Sequence, residues 1–296
     1  MQSLWMIVAS LLFASMGVCV KLGAGLLSIG ELVLYRGAIG LLIALFIGKT
    51  LRIPLRTTAW RLQLTRAIAG SLALLCYFYA ISILPLATAV TLNYTSPIFV
   101  ALLLLLRYGE RLRWPVLASL LLGFAGVVLL LKPTLQADQW LGAVAGLGSG
   151  LIASIAYVNV RELGRLGEPE VRTVFWFSGA TVLLGLPWAA AQGFHAVDAS
   201  TLPILLGVGI FGGAAQFAMT RAYRLGKTIV SANLAYTTVV FSSLFGVLLW
   251  DETLPLTAWL AIGLIVSGGV AVSLTTHAPS AQTAAPTPLT PSRQGD

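Results

Sequence analysis

Ten apolar runs, each close to the ~20 residues that a helix needs to cross a bilayer, follow one another along this 296-residue chain. They fall near 3–22, 28–48, 64–83, 86–106, 114–132, 140–160, 171–191, 202–222, 229–249 and 255–275. Backbone in lipid must satisfy its own amides and carbonyls, and runs of this length do so as helices. Only 9% of the residues are charged, far below the roughly 25% of a soluble domain. The sequence therefore predicts an all-α integral membrane protein with ten transmembrane helices. Pro85, Pro115, Pro133, Pro187, Pro203 and Pro255 punctuate starts and ends of runs, where a missing amide hydrogen costs least. The first run has no basic lead and no small-residue cleavage pattern, and reads as a span, not a signal peptide. The Ala/Pro/Thr/Ser-rich stretch 278–296 is expected to be disordered.

Charge sorts the connections. With a cytoplasmic N-terminus, 15 of the 18 Lys and Arg residues lie in cytoplasmic connections, adjoining helix ends or the tail. The other face keeps Lys21 and Lys132, and Arg36 falls within a span. Both termini are therefore expected in the cytoplasm, with the chain crossing the membrane ten times. The net charge of +8 is read as orientation and not as nucleic-acid binding.

The chain also repeats itself. Leu92, Tyr94, Thr95, Phe99, Leu102, Leu106, Glu110, Leu112, Leu122 and Gly126 recur, 142 residues later, as Leu234, Tyr236, Thr237, Phe241, Leu244, Leu248, Glu252, Leu254, Leu264 and Gly268. Residues 1–137 and 138–277 would form two five-span halves. Five is odd, so the second half must run through the membrane upside down relative to the first. Two inverted five-helix repeats place a site between them, and leave no need for a dimer.

At this point the sequence resembles the drug/metabolite transporter superfamily, specifically its ten-span EamA-type members. The resemblance rests on Ala87-Thr88-Ala89 through Ser96-Pro97-Ile98-Phe99, closed by Gly109-Glu110-Arg111-Leu112. The second half matches with Ser231-Ala232-Asn233 through Tyr236-Thr237, closed by Asp251-Glu252-Thr253-Leu254. It implies a carrier that moves a small organic metabolite by alternating access, with export mildly favoured and uptake the alternative. Val239 stands where Pro97 stands in the first half, so a one-sided kink is expected. Ser178 stands where Arg36 stands, so that charge has no symmetric mate.

Polar and aromatic residues at mid-span are the candidate substrate-binding set, because lipid cannot satisfy them. Thr91 and Tyr94 share a helix face, as do Asn233 and Tyr236. Asn93 precedes Pro97, which would free the carbonyl of residue 93 and bend the helix toward a cavity. Tyr79, Tyr157, Trp176 and Gln216 extend the set, with Tyr77 and Asn159 at similar depth. Rings with a few amides suit a planar or zwitterionic solute, such as an amino acid or an aromatic compound. Arg36 is expensive within a span. It either holds backbone carbonyls or a neighbouring helix, as its place in the family suggests, or meets an anionic group of the substrate. Glu110 and Glu252 are expected to anchor the turns after spans 4 and 9. Gly142, Gly146 and Gly150 are spaced by four, which predicts a smooth packing face and not a nucleotide loop.

What is missing narrows the chemistry. There is no zinc-protease, nucleophile-elbow or phosphate-loop motif, so no enzyme, cofactor or metal is expected. Span 1 carries no acid, which argues against the proton chemistry of small multidrug exporters. Glu31 is the only acid placed to enter the membrane, near one end of span 2. A channel or receptor without turnover is the rival from a different class.

Overall fold

The computed structural model describes residues 2–23, 25–84, 86–110, 113–132, 136–251 and 255–275. Pro85, Arg111, Leu112, Pro133, the group Glu252-Thr253-Leu254, His277 and the stretch 278–296 lie outside the described residues. Within them the chain is all helix, and ten helical segments are long and apolar enough to span a membrane. Eight spans are single helices: α1 (Trp5–Gly23), α2 (Ile29–Thr50), α3 (Trp60–Ile83), α6 (Trp114–Leu131), α7 (Trp140–Arg165), α8 (Glu170–Gln192), α9 (Thr201–Leu225) and α12 (Leu256–Thr275). The fourth and ninth spans are each broken in two. They comprise α4 (Leu86–Asn93) with α5 (Ser96–Tyr108), and α10 (Thr228–Leu234) with α11 (Thr237–Trp250). The third span begins at Trp60, four residues earlier than its apolar run. That shift moves Arg61 and Gln63 from a connection into the helix, and places Arg66 more than a turn inside it.

Helix pairing runs across the two sequence halves. The principal packed pairs are α3 on α7, α1 on α9, α2 on α8 and α6 on α12. Exchanging the halves turns the first pair into the second and leaves the other two unchanged. Small residues let the helices approach. On α7, a Cβ at Gly142 would meet the Leu84 side chain at 2.8 Å, and one at Gly146 would meet Leu92 at 3.0 Å. Off this face, Gly148 has nothing within 4 Å. The α6–α12 crossing is reciprocal. Gly126 sits against Ala261 and Ile265, and its repeat mate Gly268 sits against Ser119 and Gly123.

Carboxylates secure the helix ends. Ser28 and Glu31 form a capping box that starts α2. Glu31 is fully buried, and also accepts the His195 backbone amide at 2.7 Å. Its other oxygen lies 2.7 Å from His195 Nδ1. The acid is thus engaged by the α8–α9 connection and makes no pair with Arg36. On the opposite face, Glu168 in the α7–α8 connection accepts from Thr57 Oγ1 at 2.6 Å, Gln63 Nε2 at 3.1 Å and Arg172 Nη1 at 2.8 Å. Arg172 Nε reaches on to the Pro54 carbonyl at 2.9 Å. One carboxylate therefore ties the α2–α3 connection to the α7–α8 connection.

Burial of Glu168 raises its pKa, but the Thr57, Arg172 and Gln63 hydrogen bonds and the Arg172 charge together outweigh it. The carboxyl is held below its ordinary 4.5. A depressed folded-state pKa contributes stability above the unfolded value, and that stability is lost as pH falls. The unfolding midpoint of the detergent-solubilised protein should therefore fall once pH drops below about 4.5. Glu168→Gln should flatten that acid limb and cost about 1–3 kcal/mol at neutral pH, as read by thermal unfolding across a pH series.

Candidate functional site

The breaks in the fourth and ninth spans lie at matching places in the repeat. In each, a threonine hydroxyl takes the carbonyl three residues back: Thr95 Oγ1 to Leu92 O at 2.6 Å and Thr237 Oγ1 to Leu234 O at 2.6 Å. The backbone tightens with it, Thr95 N donating to Leu92 O and Tyr236 N to Asn233 O. Such back-bonding competes with the helical ladder and bends it. The expected one-sided kink is therefore corrected. Both spans break, because the threonines recur at both sites even though Pro97 does not.

Protein covers the break in the fourth span. Asn93 Nδ2 donates to Ser149 Oγ at 2.9 Å. At Gly150 a Cβ would fall 2.6 Å from Thr95 Oγ1 and 3.0 Å from the Leu92 and Asn93 carbonyls. The repeat mates Tyr94 and Tyr236 meet, with ring centroids 6.2 Å apart and a 49° tilt. Tyr236 is fully buried against Gly123 and Phe124. Neither its hydroxyl nor the side-chain amide atoms of Asn233 have a hydrogen-bond partner. Thr91 is buried on the same stretch. Tyr79 lies elsewhere. It is 44% exposed, on the outward stripe of α3 that also carries Arg61, Leu64, Ile68 and Leu72.

A second group gathers where α2, α3, α7, α8 and α9 converge. The Arg36 guanidinium carbon lies 5.7 Å, and that of Arg66 4.3 Å, from the centroid of the Phe177 ring. Glycines make room for both. A Cβ at Gly212 would stand 3.1 Å from Arg36 Nε, and one at Gly70 2.4 Å from Arg66 Nη1. Tyr157 lies near both arginines. It stacks on Tyr223 at 4.8 Å between centroids and 10° between planes. Tyr157, Tyr94 and Tyr77 are half-buried among the helices. Trp176, beside Phe177, has a buried indole nitrogen with no partner. Gln216 is buried in α9, with Nε2 3.5 Å from Thr220 Oγ1, and Asn159 reaches Thr65 Oγ1 at 3.3 Å.

One end of this group is closed over. At the C-terminal ends of α7 and α9 the Tyr157–Tyr223 stack closes the gap, and Gly164 lets the Arg224 backbone approach within contact distance. Ion pairs ring the seal: Arg161 with Glu110, Arg165 with Glu110 at 4.0 Å, and Arg224 with Glu170 at 2.8 Å. Glu110 thus joins the fourth span to the sixth, instead of only anchoring its own turn as expected. A cleft of about 390 Å³ enters from this face and ends on Tyr223. The repeat mates of α7 and α9 are α1 and α3. That pair makes no comparable contact among the described residues.

Comparisons with known proteins agree with this architecture. Residues 1–132 and 140–274 match the EamA-like transporter family. The chain is 32% identical over 266 residues to the pseudopaline exporter CntI of Pseudomonas aeruginosa, covering 90% of this chain and 91% of that one. A riboflavin transporter of Rhizobium johnstonii is 30% identical over 167 residues, covering 55% and 53%. A solved crystal structure superposes with a TM-score of 0.82 at 24% identity, over 93% of this chain and 98% of that one, which bears on the fold alone.

Three members of the central group escaped the sequence reading. Arg66 reads in the sequence as a positive-inside charge at the end of the third span. Trp60, an interfacial aromatic six residues earlier, was the available signal. Phe177 and Tyr223 carry no polar pattern that sets them apart. The seal is testable through Gly164. Gly164→Ala should wedge α7 from α9 and speed labelling of a Thr220→Cys reporter, buried in α9 one turn deeper than Tyr223, several-fold in a background lacking Cys19 and Cys76. A polar thiol reagent applied to reconstituted protein reads the rate, and an unchanged rate would show that Gly164 does not hold the seal.

Proposed function

Because the chain belongs to the EamA-like transporter family, we propose that it is a secondary transporter working by alternating access in a bacterial inner membrane. The cargo is a small organic metabolite, an amino acid or an aromatic or zwitterionic compound. Export is the direction that likeness to the pseudopaline exporter supports. Two inverted five-helix halves, 1–137 and 138–277, rock about the space between Tyr94, Tyr157, Arg36 and Arg66, with both termini in the cytoplasm. The monomer holds both halves, and so suffices.

The observation that carries this reading is that one helix contact differs between the two halves. Helix pairing is preserved on exchanging the halves, yet α7 closes on α9 while α1 and α3 stay apart. A carrier of two equivalent halves has a second state of similar energy, in which α1 meets α3 and α7 leaves α9. A channel needs no such alternation.

Counterflow in proteoliposomes tests it. A solute that raises the thermal midpoint in a metabolite screen should exchange with saturation, and flux should fall at least tenfold in Tyr157→Ala, a loss of about 1.4 kcal/mol or more. Conductance that rises linearly with concentration would reject the carrier. Flux with and without a pH gradient separates proton coupling from uniport or exchange.

A further inference from the structure

Arg36 and Arg66 are the most deeply buried arginines among the described residues, at 7% and 1% exposure. The other largely buried arginines each have a carboxylate: Arg161 has Glu110, Arg172 has Glu168 and Arg224 has Glu170. Arg36 and Arg66 have none, and no hydrogen bond or ion pair to either guanidinium is found among the described residues. Arg36 Nε and Arg66 Nε and Nη1 are buried without any partner. The two charges repel one another. Glu31, the acid within α2, is fully engaged by Ser28 and His195. Two uncompensated cations inside a membrane protein are costly unless something anionic joins them. A structural anchor would show bonds to carbonyls or acids, and there are none. Gly70 and Gly212 let the helices pack closely on the two guanidiniums, since a Cβ at either would meet them.

We propose that Arg36 and Arg66, set against the Phe177 ring and beside Tyr157, form an empty subsite for the carboxylate of an organic acid. The planar fork of a guanidinium matches a carboxylate bidentately. Phe177 and Tyr157 offer faces for an apolar or aromatic body. The inference rests on the carrier reading of this same site, and narrows its cargo from any small metabolite to an anion.

Thermal unfolding of the full-length protein in detergent, at constant ionic strength, tests the subsite without knowledge of the natural solute. Benzoate, its uncharged analogue benzamide and phenylphosphate serve as probes. Benzoate should raise the midpoint by about 2–4 °C over benzamide. Arg36→Gln and Arg66→Gln should abolish that difference. Without ligand both variants should unfold no lower than the parent, because each removes an uncompensated buried charge. Arg66→Lys keeps the charge but not the fork, and should lose most of the shift. Equal effects of benzoate and benzamide would overturn the subsite, as would a benzoate shift that survives in both glutamine variants. An arginine-dependent shift with phenylphosphate alone would overturn the carboxylate assignment. Saturable counterflow of a solute that is indifferent to both glutamine variants would sink the anion subsite and leave the carrier standing. An arginine-dependent benzoate shift without counterflow of any solute would do the reverse.

Discussion

A helix that crosses lipid can be interrupted only where protein covers the carbonyls that the break releases. In the fourth span that cover is Gly150, whose missing side chain admits the Leu92 and Asn93 carbonyls and the Thr95 hydroxyl. The rest of the centre follows from this contact. It sets α7 against the break, which lets Ser149 take the Asn93 amide and brings the α7 face that carries Tyr157 toward the middle of the bundle. The same α7 face supplies Gly142 and Gly146 to its neighbours, so one line of small residues seats both α3 and the broken span. An alanine at 150 would meet an oxygen at 2.6 Å, with no lipid-facing direction in which to relieve it.

Electrostatics divide the molecule into two regimes. Near the faces, acids and bases are matched: Glu168 with Arg172, Glu170 with Arg224, Glu110 with Arg161, and Glu31 with the His195 connection. These pairs join connections and helix ends that are distant in sequence. At the centre the balance fails, and two guanidiniums share one aromatic ring with no acid to answer them. A folded chain tolerates such an imbalance where a mobile partner completes it. Under the proposed subsite, an anionic cargo would complete it.

Much of the architecture was legible in the sequence because lipid imposes a simple rule. A run of ~20 apolar residues is a span, and all ten appear, eight as single helices and two as broken pairs. The face formed by Gly142, Gly146 and Gly150 was legible for the same reason, since spacing by four on a helix defines a stripe. The site was less legible. Tyr94 and Tyr236 were found as repeat mates, and they do meet. Tyr79 has the same composition and depth but points outward, because its rotation about α3 is set by which neighbours pack there. Arg66 looked like a positive-inside charge. Its burial depended on which helices pack against α3, with Phe177 of α8 against its guanidinium.

The sequence by itself determined the membrane environment, the number of spans, the repeat of 142 residues and the polar residues that lipid would not accept. These are properties of local composition and period, and a chain carries them without folding. Only the tertiary structure decided that both repeated spans break, that Glu31 serves His195 and not Arg36, and that α7 closes on α9 while their mates stay apart. It also decided that Arg36 and Arg66, on different helices, converge on Phe177. Each of these depends on how helices rotate and approach, which is set by packing between residues far apart in the chain. No window along the sequence contains both partners.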